Sequence, residues 1–94
     1  MIVKLMKAKR PHKYKVIIDG KTIKFGADGY SDFTLSKDEE KKKNYLARHE
    51  VRENWNLSGI KTAGFWSRWL LWNKPTIKES IKDIENRFNI NIIF

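Results

Sequence analysis

The residues best suited to proton transfer sit together in the run Arg48-His-Glu-Val-Arg-Glu53. An imidazole beside carboxylates is the usual equipment of general acid–base catalysis, and a second histidine four residues after the first would complete a zinc-binding pair on one helix face. Glu53 occupies that position, and His12 falls in a different element. One histidine does not make a site, so His49 reads as a structural residue packed on Tyr45 or Trp55. Gly26-Ala-Asp-Gly29 lacks the Lys-Ser/Thr pair and the helix that make a glycine loop a phosphate cradle. Asp28, Asp32 and Asp38 are too loosely spaced for a metal-dependent nuclease, and no Ser/His/Asp set is legible. The chain has no cysteine, which removes disulfides and thiolate zinc sites and suits a reducing compartment. The expectation is a protein that is not an enzyme, with no catalytic residues, metal or cofactor.

The cations are more informative. Formal net charge is +9 over 94 residues, a balance that favours anionic partners, nucleic acid first. Residues 1–27 alone carry +7, residues 28–56 carry −1 and residues 57–94 carry +3. Lysine outnumbers arginine by 15 to 5. Flexible ammonium groups suit phosphate contact, whereas the arginine fork suits base reading, so the mix points to low sequence specificity. Abundant Lys, Ile and Asn is also what AT-rich coding would produce. Lys41-Lys42-Lys43 follows three acidic residues and reads as a solvated helix face with pairs such as Asp38–Lys42 and Glu39–Lys43.

The elements that must position these charges follow from spacing. Lys13–Ile18 and Lys21–Phe25 flank Asp19-Gly20, the strongest short-range hairpin signal. A two-residue turn places Ile18 opposite Lys21, Val16 opposite Ile23 and Tyr14 opposite Phe25. Those apolar residues then share the core face, and Lys13, Lys15, Ile17, Thr22 and Lys24 share the other. Lys15 lies directly opposite Lys24, a destabilising like-charge pair that a bound phosphate backbone would turn into a contact. Lysines on a solvated edge also block edge-to-edge aggregation, so the row has a purely structural reading as well. Lys4, Lys7, Lys9, Arg10 and Lys21 would extend the patch. Ile2–Lys7 adds a third strand, ended at Arg10-Pro11.

Beyond the glycine-bearing loop 26–32, Ser36-Lys-Asp-Glu39 predicts a capped helix over 37–54 with Tyr45, Leu46, His49 and Arg52 on one stripe. Phe65, Trp66, Trp69, Leu70 and Trp72 predict an apolar helix over 63–72, broken at Pro75. Its spacing makes these tryptophans core residues before base-stacking platforms. Thr76-Ile-Lys-Glu79 opens a third helix to Phe88 with a seam of Ile77, Ile81, Ile84 and Phe88, and 89–94 is a closing strand. The longest apolar run, Trp69–Trp72, is far shorter than the roughly 20 residues that cross a bilayer, and the start resembles no secretory signal, so a soluble or peripheral protein is expected. One α+β domain spans 1–94: an N-terminal antiparallel hairpin or three-stranded sheet (1–27) packed on two or three helices (36–88) around a Trp-rich core.

Gly29-Tyr-Ser-Asp-Phe-Thr34, Tyr45-Leu-Ala-Arg-His49, Arg52-Glu-Asn-Trp55 and above all Lys61-Thr-Ala-Gly-Phe-Trp-Ser-Arg-Trp-Leu-Leu-Trp-Asn-Lys-Pro-Thr76 resemble small uncharacterised proteins of large nucleocytoplasmic DNA viruses of the mimivirus and iridovirus kind, over about residues 13–88. That resemblance carries no activity and no catalytic residues. It implies an intracellular viral protein of the infected cell and a candidate for packaging in the virion.

The functional expectation is therefore low-specificity nucleic-acid binding, genome- or virion-associated. Lys13, Lys15 and Lys24 are central, with Lys7, Lys9, Arg10 and Lys21 flanking them. The alternative is a structural or protein-interaction module docking a viral or host protein through exposed Tyr30, Phe33 or Trp55.

Overall fold

Asp19 and Gly20 adopt φ of 50° and 78°, the double positive turn that matches strand twist. In the computed structural model, which describes residues 1–94, this turn joins β2 (His12–Ile18) to β3 (Lys21–Ala27). Ile18 pairs with Lys21, Val16 with Ile23, Lys15 with Lys24 and Tyr14 with Phe25, the register that the turn length dictates. Lys61 reaches Asp19 at 3.4 Å and ties the hairpin tip to the helical part.

β1 (Ile2–Lys7) pairs antiparallel with β2, and β4 (Asn91–Ile93) pairs parallel with β1, so the sheet order is β3-β2-β1-β4. The sheet is thus four-stranded and mixed. The chain leaves at the β3 edge, crosses through the helices and returns at the opposite edge. There Glu85 accepts a hydrogen bond from the Ile92 amide at 2.9 Å, which occupies a donor that an edge strand would otherwise leave open.

The first helical segment begins earlier than its sequence signal. Asp32 accepts from the Thr34 amide and caps a single turn, α1 (Phe33–Ser36), which Lys37 ends in the left-handed region at φ 53°. Ser36 closes this turn rather than opening the next helix, its Oγ accepting from the Asp38 amide at 3.2 Å. Asp38 then caps α2 (Glu39–His49), accepting from Glu40 and Lys41 at 3.0 and 3.2 Å. The expected helix over 37–54 is therefore shorter at both ends, and Arg52 lies beyond its stripe. Tyr45 is the buried residue of α2.

Thr62 caps α3 (Ala63–Trp66), which widens without a break into a π turn over Ser67–Leu71, closed by the Trp72 amide on the Ser67 carbonyl. A regular helix would turn one of three consecutive residues outward. The wider turn keeps Trp69, Leu70 and Leu71 all at 8% exposure or less. Thr76 caps α4 (Ile77–Phe88), accepting from the Glu79 amide at 3.1 Å and donating to its carboxylate at 2.9 Å. Ile84 is buried and Ile77, Ile81 and Phe88 pack against the core, as the seam requires.

The core lies between the helices and one sheet face. Val3, Leu5, Val16, Ile18, Ile23 and Phe25 meet Ile60, Phe65, Trp66, Trp69, Leu70, Leu71 and Ile84. The large indoles bring polar atoms inside, and each buried N–H finds a carbonyl: Trp66 donates to Ile60 at 2.7 Å and Trp69 to Trp55 at 2.9 Å. The α+β class and the Trp-rich core both follow the sequence pattern.

Candidate nucleic-acid interface

A strand alternates its side chains, so a sheet covered by helices on one face presents every second residue on the other. Register makes the uncovered face explicit. Lys24, Lys15 and Met6 form one cross-strand row, and Thr22, Ile17, Lys4 and Ile93 form the next. Lys15 and Lys24 are direct neighbours, with Cβ atoms about 5 Å apart, and Lys4 lies diagonal to Lys15 at about 7 Å. Asp and Glu side chains form no salt bridge with any of the three. Three adjacent cations without counter-charges, on a face with no aromatic side chain, can contact phosphates but offer no platform for stacked bases.

The expected site residues divide. Lys15 and Lys24 take the places expected of them. Lys21 stands exposed at the hairpin tip, and Lys9 and Arg10 occupy the β1–β2 turn. Arg10 pairs with Asp28 at 2.8 Å but is 90% exposed, a pairing that hardly lowers its availability. Lys7 lines a groove of about 410 Å³ beside that turn, with Arg10, His12 and Tyr14, not the open face.

Lys13 departs from the expectation altogether. Its ammonium is 2.6 Å from the Asp32 carboxylate and also donates to the Tyr30 carbonyl, and the two paired side chains are only 13% and 3% exposed. The strand places Lys13 beside Gly26, but the loop after β3 brings a buried carboxylate to it. Lys13 is a fastener for that loop, and Lys4 takes its place as third member of the open row. Asp32 leaves a second mark: burial first, and then its negative charge, push the Tyr14 phenol above its ordinary range.

Of the expected docking aromatics, Tyr30 is exposed at 73%. Phe33 is not: it is 4% exposed, with the Lys42 ammonium 4.9 Å above its ring. Trp55 is half-buried, its indole donating to Glu53 at 2.9 Å and its ring lying 5.4 Å from the Arg68 guanidinium. Phe33 is thus closed to a partner, whereas Trp55 packs against the core and keeps part of its surface exposed. His49 stacks on Tyr45 with centroids 4.1 Å apart, as read from the sequence, and Tyr45 stacks in turn on Trp72 at 4.4 Å. Burial first, then the Glu53 charge, drive the Tyr45 phenol well above its usual range, so it stays a neutral member of the stack.

No cluster of His, Asp and Glu suits a metal ion, and no helix is long and apolar enough to cross a membrane.

A protein-family model, described as a family of unknown function (DUF5754), matches residues 3–49, half of the chain. The chain belongs to this family. The matched segment runs from β1 to the end of α2 and includes Lys4, Lys15 and Lys24 together with Lys13 and Asp32. The family description names no enzymatic activity, and no curated protein and no solved structure matches the chain.

Proposed function

We propose that the protein binds the phosphate backbone of nucleic acid with low sequence specificity, through the uncovered face of its sheet, and that it catalyses no reaction. The observation that carries this reading is the direct pairing of Lys15 with Lys24, beside Lys4, without a carboxylate partner. Opposing two like charges across a strand pair costs stability; Lys24 on the edge strand also guards against edge pairing, but the pairing with Lys15 is what a polyanion converts from repulsion into released counterions. Lys21 and the turn residues Lys9 and Arg10 flank the row at the two ends of β2. The resemblance to proteins of large DNA viruses adds a setting: a component of the infected cell associated with the viral genome or particle.

The test is a salt titration of binding to duplex and single-stranded DNA of mixed sequence. Each phosphate neutralised on duplex DNA contributes about 0.9 to the slope of log affinity against log salt. Removing both Lys15 and Lys24 as glutamine lowers that slope by about 1.8 on duplex, with equal loss across sequences. An unchanged slope rules the sheet face out.

A further inference from the structure

A second constellation lies on the helical side of the sheet. α2 ends beside the loop that follows β3, and between them opens a cleft of about 480 Å³. Lys13, Gly26 and Asp32 contribute from the sheet and loop, Tyr45, Arg48 and His49 from α2. Ser67 of the π turn and Trp72 just after it close the cleft.

His49 is held there with more care than a surface histidine needs. Its Nδ1 lies 3.0 Å from Glu53 Oε2, and the indole of Trp55 donates to Glu53 Oε1 at 2.9 Å, so both carboxylate oxygens are engaged. An ionised carboxylate only accepts, so Nδ1 carries the hydrogen. The ring plane is fixed by stacking on Tyr45, itself backed by Trp72. Nε2 has no partner within the protein and remains available to a hydroxyl or P–OH group. A His–Glu pair 27% and 23% exposed adds little stability, so what the arrangement secures is orientation.

Arg48 is exposed on the same rim and forms neither a salt bridge nor a hydrogen bond. The Asp32 charge is neutralised by Lys13 at 2.6 Å, which leaves Arg48 as the lining cation without an ion-pair partner. Tyr30, another lining residue, is 73% exposed and stacks on no other ring of the protein. One free cation, one oriented imidazole nitrogen and one free aromatic face border a cavity of small-molecule size.

We propose that this cleft binds a small phosphorylated compound carrying a flat ring and hydroxyls, the chemistry of a nucleoside monophosphate. Arg48 takes the phosphate, His49 Nε2 accepts from a hydroxyl, and the ring lies against Tyr30. The site is separate from the lysine row and does not depend on it.

The experiment titrates ¹⁵N-labelled protein with each of the four common nucleoside 5′-monophosphates, the matching nucleosides and inorganic phosphate. The expected result is shifts centred on Tyr30, Arg48, His49 and the Trp72 indole, with monophosphates binding at least several-fold tighter than either part alone. Arg48→Gln, an exposed position that leaves the core intact, weakens binding about tenfold, the loss of one charge-assisted contact. Tyr30→Ala weakens it about threefold or more. Lys82→Gln, an equal change of net charge on α4, changes nothing. Absence of shifts, shifts confined to the sheet face, or indifference to Arg48→Gln overturns the proposal. Equal affinity for inorganic phosphate overturns the assignment of the ring.

Discussion

Replacing Lys24 by glutamine should make the protein more stable and worse at holding nucleic acid. Lys15 and Lys24 are directly paired across β2 and β3. With charges about 5 Å apart in water the repulsion is about 0.8 kcal/mol. Free ammonium groups splay, and a Debye length of about 8 Å at physiological salt trims the remainder, so about 0.3–0.6 kcal/mol is the expected gain. For a domain of this length that is a rise of roughly 2–4 °C in Tm, largest in dilute buffer and fading at about 1 M salt. Lys15→Gln should do the same, and the double variant should gain no more than either single one, because one removal already ends the repulsion. The assay is thermal unfolding by circular dichroism at several salt concentrations, beside the DNA titrations on the same proteins. Lys24→Glu adds a sharper contrast, since it replaces repulsion with a cross-strand ion pair and should stabilise further while weakening DNA binding most. A loss of stability in Lys24→Gln, or additive gains in the double variant, would show that the two lysines do not face each other, and the argument for the row would go with it.

Lys13→Met leaves the 3%-exposed Asp32 carboxylate without its cation and should cost about 3 kcal/mol in urea unfolding, while the salt slope of DNA binding on folded protein stays unchanged. Trp66 is fully buried and donates to the Ile60 carbonyl, so Trp66→Ala should cost about 3–5 kcal/mol in the same assay. Gly26 has φ of 75°, and a methyl group there would sit 2.9 Å from a Leu71 methyl, so Gly26→Ala should lower stability by about 1–2 kcal/mol. Burial would raise the Asp83 carboxyl, but hydrogen bonds from Asn73 and then Arg87 outweigh it and hold the group below the usual carboxylate range. Such a group stabilises the fold above its unfolded pKa, and the contribution is lost as pH falls through its folded value. Asp83→Asn should therefore be less stable than wild type near neutrality, by about 1 kcal/mol, with the gap closing below about pH 4.

Local chemistry made much of the fold legible. Asp19-Gly20 dictates its turn whatever surrounds it, and that turn alone sets the pairing of Lys15 with Lys24. Thr76 stands alone as a cap before a clear seam, so α4 reads to the residue. α2 was harder because Ser36 and Asp38 are both competent caps two positions apart. The choice went to Asp38 once Asp32 capped the preceding turn, a contest between neighbours that no single motif records. The π turn was illegible because Trp69, Leu70 and Leu71 look like an ordinary wide stripe. The candidate site was half legible for a related reason. The Lys13–Asp32 contact spans 19 residues and involves a loop, so parity placed Lys13 on the open face while its ammonium is held elsewhere. Lys4 is harder to place from sequence because the β1–β2 connection has no diagnostic turn to fix its register. Phe33 is a lone aromatic without periodic partners, and only Lys42 and the cap at Asp32 reveal that it points inward.

The pairing of β4 with β1 sets a condition on synthesis. β1 is synthesised before the helices and β4 after them, and the Asn91 amide bonds the Met1 carbonyl at 3.0 Å. The hairpin of β2 and β3 can form early, but the apolar face formed by Val3, Val16 and Phe25 waits for the helices that follow residue 49. The segment that the family model matches therefore lacks the helices that cover its apolar face. Expressed by itself, residues 1–49 would carry the phosphate-facing lysines on one side and an uncovered greasy sheet on the other, and the fragment would aggregate rather than report on either face.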